Sequence, residues 1–407
     1  MLLKKITSLI TNLKVPLPLG GVRGGLLRGG LFVLILTLYA CREDDTVVQP
    51  TRQETGEQVV TDYVGMYVLC EGNMGQNKAT LDYLDLHSGQ YHKNIFPSRN
   101  PQQVKELGDV GNDAKIYGTR LWLVINSSNK VEVCTADSAH SLGHVDVPNC
   151  RFLAFDGGYA YVSSYVGPTG GTSVKGSVYK IDTLTLNVVA QTTVGYQPEE
   201  MAIVDGKLYV ANSGGYEAMQ GRPYDRTVSV INLKTFTVES TIDVAPNLWR
   251  MRADRHGNLW VTTRGDYTTA NPSRLYKLTK DQQGHMVKTD SIDIPVSDIA
   301  FRGDSLCYVG ATYDANWQQQ NISGAIDCKT MKQISTQLMK DAAQIETIYG
   351  LMVHPETGSI YVMDATNYVS SGWIYCYDSD GNYKWKASTG DIPGHACWYV
   401  KELGVRS

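Results

Sequence analysis

Glu200-Met201-Ala202-Ile203-Val204-Asp205-Gly206-Lys207-Leu208-Tyr209-Val210 is a hairpin written in sequence. Two apolar runs rich in β-formers flank Asp-Gly-Lys, which carries the turn chemistry that joins antiparallel strands. The second run has an aromatic residue between aliphatic ones, and that signature returns along the chain. It appears at Met66-Tyr67-Val68-Leu69, Leu121-Trp122-Leu123-Val124, Ala160-Tyr161-Val162-Ser163, Leu208-Tyr209-Val210-Ala211, Leu259-Trp260-Val261-Thr262, Cys307-Tyr308-Val309-Gly310 and Ile360-Tyr361-Val362-Met363. A recurrence every fifty residues or so is the mark of a repeat architecture.

Each unit continues through a further strand, a turn such as Asp182-Thr183-Leu184-Thr185 or Asn232-Leu233-Lys234-Thr235, and a last strand such as Thr237 to Val244. Four strands per unit and seven units predict an all-β fold, a seven-bladed β-propeller of four-stranded blades. The first unit lacks an upstream inner strand, whereas the C-terminal stretch His395-Ala396-Cys397-Trp398-Tyr399-Val400 has no unit of its own. That stretch is predicted to close the ring as the missing strand, so that no sheet edge is left exposed at the seam.

The amino terminus reads as an export signal. Basic residues precede the apolar run Leu31 to Leu38, which is too short to span a bilayer, and Tyr39-Ala40-Cys41 follows at once. The junction resembles the lipobox of bacterial lipoproteins, with Tyr39 standing where a small residue is usual. Arg42-Glu43-Asp44-Asp45 resembles the acidic export tag of Bacteroidetes lipoproteins. The expected organisation is a signal peptide over 1–40, a tether over 41–62 lipidated at Cys41, and the propeller over 63–407, held at the outer membrane with the ring outside.

The chain has 407 residues, a net charge of −4 and interspersed charges, which excludes a basic nucleic-acid surface. Seven cysteines besides Cys41 fall mostly inside apolar strand patterns, where a thiol acts as a small buried hydrophobe; if any pair bridges, Cys307 with Cys328, on neighbouring strands of one blade, is the one to check. No metal-ligand spacing, nucleophile elbow or phosphate loop is present, and neither a metal nor a catalytic cofactor is expected.

The informative segments are the long connections on one face of the ring, rich in aromatic, amide and guanidinium groups. Tyr165, Tyr216, Arg222, Tyr224, Arg264, Asp266, Tyr267, Tyr313, Asn316, Trp317, Tyr368 and Trp373 lie on or beside excursions inside the blades; Tyr196, Trp249, Arg250, Tyr349 and Trp398 lie where the chain enters a blade. Together they are expected to surround the mouth of the central channel as a ligand-binding surface. A propeller lyase or lactonase would instead use His395 or His256, near Arg250 and Asp266, as acid or base.

Leu69 to Asn77, Thr80 to Tyr83, Leu107 to Asp113 and Ile125 to Val133 resemble the YncE-like surface-layer propeller lipoproteins of Bacteroidetes, and among them the BtuG type that captures vitamin B12. The resemblance implies a non-enzymatic surface lipoprotein that holds a corrinoid, cobalamin, on its loop face. It also implies hand-over to a TonB-dependent, BtuB-like transporter in the outer membrane. A glycan- or protein-binding subunit of an uptake complex is the alternative.

Overall fold

The computed structural model describes residues 50–103, 106–167, 174–313, 318–342 and 344–401, and the lipidation site Cys41 lies outside them. Its strands, numbered β1 to β29 in chain order, form seven antiparallel sheets arranged as the blades of a propeller. The repeated aromatic strand is the second of each blade. It is flanked by strands on both edges and by neighbouring blades on both faces, which is why it is continuously apolar instead of alternating. Tyr67, Trp122, Tyr161, Tyr209, Trp260, Tyr308 and Tyr361 are all buried there. Seven apolar clusters fill the spaces between adjacent blades, so the core is a ring of seams.

The inner strands are β5 (Gly111–Tyr117), β9 (Cys150–Asp156), β13 (Pro198–Val204), β17 (Leu248–Ala253), β21 (Val296–Arg302), β25 (Ile348–Val353) and β29 (Pro393–Val400). As expected, β29 completes blade one by pairing with β2 (Tyr63–Cys70), setting Leu69 opposite His395 and Met66 opposite Trp398. The seam is also pinned by the Gly390 N–H, which donates to buried Asp82 at 3.0 Å.

One boundary departs from the sequence reading. Thr51–Glu54 (β1) pairs with β4 (Gln90–Lys93) as a fifth, outermost strand of blade one, and the Val59 N–H donates to the Leu86 carbonyl at 2.8 Å. Part of the expected tether therefore belongs to the sheet. Its Thr-Arg-Gln-Glu sequence is mostly exposed and carries no apolar period, so backbone pairing alone places it. The cysteines behave as the apolar strand patterns predict: Cys307 and Cys328, the pair to check for a bridge, are buried free thiols.

Because strands alternate in direction, connections leaving the second strand and those entering the next blade emerge on one face. The hairpins between first and second strands emerge on the other. Every inner strand thus starts at the loop-rich mouth and runs away from it.

Candidate functional site at the channel mouth

Trp249 stands second in β17, at the top of the channel wall, and is half-buried. The guanidinium of Arg264, from the loop after β18 (Leu259–Thr263), lies 3.6 Å from the centre of the indole, and that of Arg250 lies 5.1 Å away. Across the opening, Tyr349 and Tyr368 meet edge to face at 5.6 Å, and Tyr267 faces Tyr224 at 6.5 Å. Trp249, Arg250, Arg264, Tyr267, Tyr349 and Tyr368 line one recess of about 400 Å3, with Ser273, Ser297 and Gln319 as further polar groups. These are the expected residues that the fold brings together.

Two of the tyrosines are held at a conformational cost. Tyr267 (φ 62°) and Tyr368 (φ 60°) both occupy the left-handed backbone region, which a bulky side chain seldom adopts. Tyr267 is 78% exposed, so little burial of its ring offsets the strain, while Tyr368, 45% exposed, keeps an edge-to-face contact with Tyr349. Strained, exposed aromatics on rigid-ended loops are a feature of binding sites.

Beside the recess lies a polar layer. The Tyr349 hydroxyl donates to Glu71 at 2.8 Å, and the same carboxylate oxygen lies 3.2 Å from His395 Nε2. Burial, then the Glu71 carboxylate, pushes the Tyr349 phenol well above its ordinary pKa, so it stays protonated as a donor. Gly394 makes this possible: a Cβ there would sit 2.7 Å from the Tyr349 ring.

Acids on alternate inner strands tie one blade to the next. The Leu153, Met251 and Leu351 N–H groups donate to Asp113, Glu200 and Asp298 at 2.9, 3.0 and 2.9 Å. Arg252 bridges Glu200 (3.2 Å) and Asp298 (2.8 Å). Burial alone would raise the Glu200 pKa, but Arg252, and after it Arg250, hold the carboxyl below the usual glutamate value. This layer lines a second cavity of about 590 Å3, with Lys115, Arg252, Phe301 and Trp398 also in its wall.

Other expected residues fall elsewhere. Trp398 lies low in the channel wall, 5.1 Å from His354 and 5.5 Å from Tyr361, because β29 runs down from the mouth. Trp373 packs against the seam between the sixth and seventh blades under Lys386, 4.6 Å from its ring. Tyr165 is buried, its hydroxyl donating to Glu199, with Arg151 4.9 Å from its ring and Tyr216 6.1 Å away edge-on. Arg222 pairs with Glu217 at 2.5 Å, and Asp266 accepts from Thr268 and Asn271 in its own loop. The Tyr196 N–H donates to Asp225 at 2.8 Å. Asn316 and Trp317 lie outside the described residues, as does the Tyr313 side chain. His256 contacts Asp304 at 2.6 Å on a first-to-second-strand hairpin, so it sits on the far face from Arg250 and Asp266.

Glu71, Arg151, Glu200, Arg252 and Asp298 are neighbours of the mouth that the sequence reading does not single out, and Glu199, on an expected mouth loop, joins them. Most share a readable signal, a charged residue at the head of an otherwise apolar inner strand, as in Pro198-Glu199-Glu200-Met201 and Val296-Ser297-Asp298-Ile299. Among the described residues no cluster of three or more His, Cys, Asp or Glu could hold a metal ion, and no helix is long and apolar enough to cross a membrane.

The family profile described as Domain of unknown function (DUF5074) matches residues 64–394, which is most of the ring. No curated protein matches the chain. A quinonprotein alcohol dehydrogenase-like protein from Bacteroides thetaiotaomicron is similar with a TM-score of 0.58 at 13% identity, over 83% of this chain and 78% of that one. A Bacteroides fragilis protein named as a candidate 6-phosphogluconolactonase is similar with a TM-score of 0.56 at 11% identity, over 84% and 100%. Kuenenia stuttgartiensis hydrazine synthase gives 0.54 at 16%, over 66% and 77%. At such identities the likeness concerns the fold alone.

Proposed function

We propose, on the premise that this chain belongs to the DUF5074 family, that it is a non-catalytic capture protein that takes up a corrinoid of the vitamin B12 type on the loop face of its propeller. The observation that carries this reading is the mouth recess. Trp249, Tyr267, Tyr349 and Tyr368 supply rigid aromatic surface, and Arg264, Gln319, Ser273 and Ser297 supply polar groups at its walls. A corrinoid is broad, amphipathic and fringed with amides, and it needs a shallow surface of this composition more than a deep slot. The resemblance of Leu69 to Asn77 and its companion stretches to the YncE-like, BtuG-type lipoproteins points the same way.

In this reading Cys41 carries the lipid that holds the protein at the outer face of the outer membrane, and the ring passes its ligand to a TonB-dependent transporter of the BtuB-like kind. The lactonase alternative loses support from the placement of His256 on the far face, away from Arg250 and Asp266. Calorimetric titration of the purified protein with cyanocobalamin tests the proposal. Stoichiometric binding with Kd on the order of nanomolar or tighter is expected. Absence of heat together with an unshifted melting curve would refute corrinoid capture, and release of a product from a lactone would refute the non-catalytic reading.

A further inference from the structure

We infer that the mouth recess is built to receive a phosphoryl oxyanion, so that its ligand is a phosphodiester or phosphomonoester seated between Arg250 and Arg264 against Trp249. This deepens the reading of the mouth as the capture surface and rests on it.

The guanidiniums near the channel top differ in what they already hold. Arg151 is engaged by Glu199 at 3.1 Å, and Arg252 by Glu200 and Asp298. Arg250 is not engaged in the same way. It is 3% exposed, its Nε is 3.5 Å from Asp298 Oδ1, and that Nε–H nevertheless makes no hydrogen bond. A buried N–H without an acceptor costs stability that a bound acceptor would recover. Arg264 is exposed, packs on Trp249 at 3.6 Å, and has no ion-pair partner among the described residues.

The recess these two arginines share has no carboxylate among its lining residues; Arg264 faces it uncompensated, whereas Arg250 is partly balanced by Asp298 at 3.5 Å. That contrasts with the channel, where Lys115, Arg250 and Arg252 meet Asp113, Glu200 and Asp298 in the wall of the second cavity. Polar groups of Ser273, Ser297 and Gln319 add hydrogen-bonding capacity at the recess.

Geometry selects the kind of anion. A planar carboxylate is satisfied by the fork of one guanidinium. Here two guanidiniums approach one indole, one from β17 and one from the loop after β18, and both residues line the same recess. A tetrahedral group with several acceptor oxygens uses both. Packing against Trp249 keeps the Arg264 plane oriented while leaving its outer N–H edge free for the ligand. A corrinoid with its nucleotide loop carries one phosphodiester, whereas cobinamide, which lacks that loop, carries none.

The test is calorimetric titration of wild type and Arg264→Gln with cyanocobalamin, dicyanocobinamide, phenyl phosphate and benzoate. Wild type should bind cyanocobalamin at least about tenfold more tightly than dicyanocobinamide, and Arg264→Gln should lose most of that preference, weakening cyanocobalamin much more than cobinamide with little change in melting temperature. Phenyl phosphate should bind wild type more tightly than benzoate, with the difference shrinking in the variant. If wild type binds both corrinoids equally and ignores phenyl phosphate, corrinoid capture stands and the phosphoryl site is overturned. If neither corrinoid binds but phenyl phosphate binds through Arg264, the phosphoryl site stands and the corrinoid reading falls. Benzoate binding as tightly as phenyl phosphate would overturn the choice of a phosphoryl group.

Discussion

The mouth and the layer of charges directly beneath it are built from the same residue types and do opposite work. In the channel, Asp298 accepts from Arg252 and from the Ile299 and Leu351 N–H groups, and Asp113 and Glu200 likewise bind the next blade's backbone. Every charge there is spent inside the protein, tying blades together. At the mouth, Arg264 lies against an indole with no acid opposite it, and Tyr267 and Tyr368 project outward from strained backbone. The difference teaches that pairing, more than residue type, separates structural charge from charge turned toward a ligand.

The comparison breaks most visibly in the channel. Asp298→Ala removes the acid shared by Arg252 and Arg250 and should destabilise the fold by about 3–5 kcal/mol, read as a large fall in the chemical-denaturation midpoint. If stability held, the layer would not be a structural tie. Trp249→Ala makes the converse change at the mouth. Ligand binding should weaken by about 2 kcal/mol or more, with a smaller loss of stability than Asp298→Ala causes.

Acid titration sharpens the contrast. The pKa of Glu200 is depressed in the fold, so its stabilising contribution is present above its unfolded value of 4.5 and drains away as pH falls through the lower folded value. Glu200→Gln should therefore cost about 1.5 kcal/mol at neutral pH, the order expected for a hydrogen bond to a charged group. It should also flatten the stability curve below that pH; an unchanged acid limb would contradict the pairing with Arg252. The smallest effect is expected at Tyr267→Asn, because Asn tolerates the left-handed backbone that strains Tyr. Stability should hold or rise by up to about 1 kcal/mol while ligand affinity drops. A loss of stability with affinity intact would make Tyr267 a packing residue.

The ring itself was legible because its second strands are sealed on both faces, which forces the apolar runs around Tyr67, Trp122 and Trp260 that reveal the repeat. Closure by β29 was legible for the same reason, since an apolar strand without a sheet has to find one. β1 was not, because Thr51–Glu54 buries little and is placed by backbone hydrogen bonds that any sequence can make. At the mouth, loop placement correctly grouped Trp249, Arg264, Tyr267, Tyr349 and Tyr368, which sit on loops or at the heads of inner strands. It misplaced Trp398 by treating a strand as a loop: five residues into β29, the chain has left the mouth. Tyr165 shows another limit, because an aromatic beside a loop looks the same in sequence whether its hydroxyl meets solvent or, as here, buried Glu199.

A crystal structure of the protein with cyanocobalamin tests the central claim most directly. The account predicts the corrinoid over the mouth, with Trp249, Tyr349 and Tyr368 against its body and its phosphodiester facing Arg264. Density for the ligand in the second cavity beside Arg252, or on the far face near His256, would contradict it.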